Sequence, residues 1–154
     1  MPKPKLEVNL KLLKKYISRP KKIVKLKPKE FLRHIGKYPK VIQIGSHKIP
    51  VYYYQSEGEA MALSGDSKIF EEGPLYGCFL GFPFPKILID GRYIHNPNHP
   101  LMTLLHECIE AINDIYGLGF TEQTIRCLES AFYGLLHDNP RFLKLLGESM
   151  GVRG

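Results

Sequence analysis

The stretch Leu101–Tyr116, LMTLLHECIEAINDIY, constrains this chain more than any other. Its apolar residues recur with helical period. On a helical wheel Leu101, Leu104, Leu105, Cys108, Ile112, Ile115 and Tyr116 gather on one side, which predicts a face turned to a core. His106, Glu110 and Asn113 gather opposite, and Glu107 projects to their flank. His106 and Glu110 are four apart, so they share a face about one turn from each other. Pro100 fits the first turn, and Gly117 and Gly119 suit a left-handed close. The simplest reading of this polar side is a solvated face with an i,i+4 His–Glu pair.

The pattern His106-Glu107-Cys108-Ile109-Glu110 also resembles the zinc-peptidase motif H-E-x-x-H. There, two histidines four apart bind zinc, and the glutamate after the first is the general base. Glu110 stands where the second histidine would be. A carboxylate can bind zinc at about 2.0–2.2 Å, so the change keeps a ligand. It adds a negative charge, which weakens the ion as a Lewis acid and raises the pKa of its water. The resemblance implies His106 and Glu110 as ligands and Glu107 as the catalytic base.

The flanking segments predict a mixed architecture. Leu6–Ile17 fits a strand or a helix, with Leu and Lys favouring the helix. Lys21–Lys27 is basic and β-branched, as in an edge strand. Pro28 starts a short helix closed by Gly36, with Phe31, Leu32 and Ile35 as its buried positions. Lys40–Ile44 and Ile49–Tyr54 flank a turn at Gly45–Lys48 and predict a hairpin, with Pro50 marking an edge or a bulge. Gln55–Glu72 reads as polar loop with a turn at Ser64–Asp66 and a short strand at Lys68–Phe70. Gly73–Pro85 reads as a loop or broken strand, and Lys86–Asp90 as a strand. Thr121 is an N-cap for a second helix reaching about His137, with Ile125, Leu128, Phe132, Leu135 and Leu136 on its apolar side. Arg141–Leu146 is a short last helix, followed by a frayed end.

Glu129 lies on that second helix, nineteen residues after Glu110, at the edge of the apolar sector. A carboxylate there needs a partner. Arg126 or an N-terminal lysine would serve. In zincins with a glutamate as third ligand, that residue also sits on the helix after the motif helix. His95, His99 and His137 read as surface histidines. Tyr133 reads as an amphipathic cover for the helix pair, with a turn toward the cleft as the alternative.

Taken in order, Val41–Tyr54, Ile87–Asp90, Thr103–Glu107, Gly117–Phe120, Leu128–Glu129 and Asp138–Pro140 resemble small zincin-like, metallopeptidase-type proteins of phage and prophage kind. These share a hairpin, an I-x-I-D strand, a T-L-L-H-E helix, a Gly-Leu loop and a helix with L-E before a D-N-P stop. The likeness covers about residues 40–140. It implies an α+β fold, a small and mostly antiparallel sheet packed on the motif helix and the following ligand helix. It implies one divalent metal on His106, Glu110 and Glu129, zinc first, with manganese or iron as alternatives. It implies a metal-dependent, peptidase-like hydrolase with a peptide or protein substrate.

Charge divides the chain. Residues 1–30 carry eleven Lys/Arg and two Glu, net +9, whereas residues 31–154 are net −2. A basic N-terminal arm (1–30) is therefore expected ahead of a domain (31–150) that the resemblance implies to be zincin-like. The arm suggests an acidic partner, nucleic acid first, or serves only as a solubilising segment. An inactive zincin scaffold that binds nucleic acid through this arm is the rival to the enzyme. No apolar run nears the ~20 residues of a membrane span, and no apolar stretch follows the N-terminal lysines as in a secretory signal. With three cysteines that cannot all pair, a cytoplasmic protein with reduced thiols is expected.

Overall fold

In the computed structural model of the chain, the described residues are 27–71 and 75–151. The expectations for Leu6–Ile17 and for most of Lys21–Lys27 lie outside them. The order is α1 (Pro28–Ile35), β1 (Val41–Ile44), β2 (His47–Tyr54), α2 (Glu57–Ser64), β3 (Gly77–Leu80), β4 (Lys86–Asp90), α3 (Asn98–Tyr116), α4 (Glu122–Asp138) and α5 (Pro140–Ser149). The boundary drawn at residue 30 falls inside α1. This is an α+β fold. The sheet runs β1-β2-β4-β3, with antiparallel pairing at both ends and parallel pairing between β2 and β4.

β4 is the strand the layers close on. Ile87 and Ile89 face one way and Leu88 the other, and all three are fully buried. Strand side chains alternate between faces, so a continuous apolar run requires cover on both. On one face Val51, Tyr53, Ile87 and Ile89 join Leu104 and Ala111 of α3, with Phe31 of α1. On the other, Tyr54 and Leu88 join Ala60 of α2. α3 packs on β1, β3 and β4, and α4 packs chiefly on α3. The ligand helix predicted to lie on the sheet therefore reaches it through the motif helix.

Several local expectations are corrected. Pro50 lies in a central strand, not at an edge. It pairs only with Val41, and the β4 pairing begins one residue later at Val51, so its missing N–H faces no partner strand. The hairpin turn is only Gly45-Ser46, Gly45 taking φ 56°. Within the expected loop Gln55–Glu72 lies α2. Ser56 accepts the Glu59 N–H, Glu59 accepts the Gln55 N–H, and Gly65 closes the helix at φ 76°. Lys68–Phe70 is a turn and not a strand. Leu32 is 65% exposed, and Leu101, Tyr116, Phe132 and Leu135 are exposed as well. α5 continues through Gly147 to Ser149 instead of fraying. Among the described residues no helix is long and apolar enough to cross a membrane.

Candidate metal centre

α3 and α4 form the frame of the centre. α3 ends at Gly117, which takes the left-handed conformation (φ 58°) and returns its N–H to Asn113 and Asp114. Asn113 then spans the loop. Its Oδ1 accepts the Phe120 N–H at 2.8 Å, and its Nδ2 donates to the Phe120 carbonyl at 3.3 Å. Thr121 caps α4 by accepting the Thr124 N–H. This clasp sets α4 alongside α3, so that Glu122 and Glu129, two turns apart, both reach His106.

His106 is the hub. Its Nδ1 lies 3.1 Å from Glu129 Oε2. Its Nε2 lies 3.5 Å from Glu110 Oε1 and 3.7 Å from Glu122 Oε2. Glu110 and Glu129 thus meet opposite ring nitrogens. Burial alone would lower the His106 pKa, but the bonds to Glu110 and Glu129 and the charge of Glu107 overcome this and raise it to about 10. Arg126 is not the partner of Glu129; it bonds Glu122 through Nε at 2.5 Å.

Glu107, at the flank of the His106–Glu110 pair, is buried. It is 4% exposed, and its Oε2 has no hydrogen-bond partner. One ligating atom each from His106, Glu107 and Glu110 fall within 4.8 Å of one another. Burial, then the neighbouring Glu110 carboxylate, pushes the Glu107 pKa well up. Glu110 is held down, first by its bond to His106. A histidine between carboxylates, one with an orphaned buried oxygen, fits a divalent ion. The described residues therefore contain a group able to hold one.

Room for Glu107 comes from β3. A Cβ on Gly77 would stand 2.7 Å from Glu107 Oε1 and collide with Thr103 Cγ2. Gly77→Ala is expected to displace the Glu107 carboxylate and to destabilise by about 1–3 kcal/mol, the usual range for overpacking. A melting temperature within a degree of wild type contradicts this account of Gly77.

Asp90 of the I-x-I-D strand is buried and structural: it grips the Arg92 guanidinium at 2.7 Å and caps a 3-10 turn at Gly91–Tyr93. His99 is no surface histidine. Its ring stacks on Tyr93 with centroids 4.8 Å apart, its Nδ1 is buried, and burial lowers its pKa. His137 is exposed, stacked on Tyr133. Glu122, read from sequence only as a helix-dipole residue, reaches His106 Nε2. Its signal was available, as Glu122 and Glu129 are seven apart and share a face of α4.

Compared with protein-family models, curated proteins and solved structures, the chain matches none of them. What supports a function is therefore the centre itself.

The raised pKa values fix a direction with pH. His106 titrates near 10 in the folded chain against an ordinary 6.5. Its contribution to stability is thus complete below about pH 6.5 and is lost as pH rises toward 10. Glu107, also raised, loses its contribution in the same direction. The metal-free protein is expected to melt at falling temperature from pH 6.5 to 10, and the slope should flatten in His106→Ala. If His106 holds a metal, uptake expels its proton, and affinity should climb over the same window. Metal affinity that is flat with pH contradicts this assignment.

Proposed function

We propose that this chain is a zincin-type, metal-dependent hydrolase acting on peptides. The observation that carries the reading is Glu107: a buried carboxylate with an orphaned oxygen, beside a His–Glu pair four residues apart on one helix. His106 and Glu110 hold the ion, and a third carboxylate comes from α4, Glu129 being the one indicated by the sequence. When bound, zinc, or manganese or iron, supplies an acidified water and a polarised carbonyl. Glu107 takes the proton from the attacking water and passes it to the leaving amine. Peptide as substrate is supported by β3. It is an edge strand, paired only with β4 among the described residues, and it runs directly past Glu107. Such an edge can accept an extended chain.

The test is release of new α-amino groups from a mixture of unstructured peptides by zinc-loaded protein, abolished by chelator and restored by metal. No release with zinc, manganese or iron removes the peptidase reading. Glu110→His sharpens the test. It removes one negative charge and restores the usual ligand pair, so metal should remain and hydrolysis should rise. Loss of metal in Glu110→His would show that residue 110 does not face the ion.

A further inference from the structure

The metal reading leaves open which carboxylate of α4 does what. We propose that Glu129 is a positioning residue that orients His106 through Nδ1, and that Glu122 is the third carboxylate facing the ion. The assignment rests on the metal reading above.

The imidazole decides it. Its two nitrogens point away from each other, so one ion can be held by only one of them. Glu129 occupies Nδ1 at hydrogen-bond distance, and both side chains are largely buried, 17% and 16% exposed. A carboxylate accepting from the far nitrogen of a ligating histidine fixes its tautomer and raises its basicity. Nε2 is left for the ion. Glu110 and Glu122 lie 3.5 and 3.7 Å from it. Both carboxylates therefore face the nitrogen left for the ion, and Glu110 also groups with His106 and Glu107 within 4.8 Å. Glu107 brings the buried, unpartnered oxygen to that cluster. Glu122 is half exposed, but it is not loose. Arg126 holds its Oε1, which leaves Oε2 turned to His106. Ligating carboxylates are commonly held in this way.

The test uses the metal-free full chain titrated with cobalt(II), reading stoichiometry, affinity and the visible cobalt spectrum, which follows the ligand set. Wild type should bind one cobalt. Glu129→Gln keeps an acceptor for Nδ1–H, so the spectrum should be unchanged, with affinity down by about 10–100-fold. Glu122→Gln removes the same single charge yet should shift the spectrum, and Glu122→Ala should do so further. Circular dichroism of each metal-free variant confirms the fold. A spectrum altered by Glu129→Gln overturns the positioning role. A spectrum and affinity unaffected by Glu122→Ala overturn the ligand role. Wild type that takes up no cobalt defeats the metal reading itself, and this assignment with it.

Discussion

Glu107→Gln is expected to keep the metal and lose hydrolysis by about 10²–10⁴-fold, the usual effect of removing a general base. Glutamine has nearly the same shape, so it fits the space that Gly77 leaves against β3. It keeps an acceptor oxygen there but cannot take a proton. Burial and the neighbouring Glu110 favour the neutral form of Glu107, which glutamine resembles. Glu107→Gln should therefore be at least as stable as wild type when metal-free. That combination, lower turnover with equal or higher melting temperature, separates a catalytic carboxylate from a structural one. An established activity left untouched by Glu107→Gln removes the catalytic assignment.

The second large effect is at His106. His106→Ala is expected to abolish metal binding and to destabilise the metal-free protein at neutral pH. With its pKa near 10, the imidazole is a cation there, facing Glu110, Glu122 and Glu129. Removing it leaves Glu110 and Glu129, with Glu107 beside them, without a counter-charge, while Glu122 keeps Arg126. Breaking a buried pair in this way costs about 3–5 kcal/mol. Both His106 and Glu129 are mostly buried, so solvent screens the loss only in part. Adding Glu129→Gln to His106→Ala should recover part of the stability and none of the metal. Full stability in His106→Ala, measured by urea unfolding at pH 7, contradicts the charge arrangement.

Much of the frame was legible because the signals were local. The hairpin, strand Lys86–Asp90, the Thr121 cap and the left-handed Gly117 each follow from a few adjacent residues. The same holds for His106 and Glu110, whose spacing alone puts them on one face. Helix α2 was equally local but lacks an apolar stripe. Its signal was the box formed by Ser56 and Glu59. What was not legible depended on neighbours distant in sequence. The burial of Glu107 was not legible because the wheel cannot show that β3 covers that side, or that Gly77 makes the space. Glu122 looked like a helix-dipole residue because its approach to His106 depends on the Asn113–Phe120 clasp. Leu32, Phe132 and Leu135 fit apolar stripes, yet α1 and α4 bury only part of theirs.

The central claim is a divalent ion held at His106. It is tested most directly by elemental analysis of the tag-free full chain purified without chelator, followed by titration of the chelated protein with zinc. The account predicts one ion per chain, lost in His106→Ala and recovered by wild type on titration. A wild-type protein that carries no ion and takes up no zinc, manganese, iron or cobalt contradicts it.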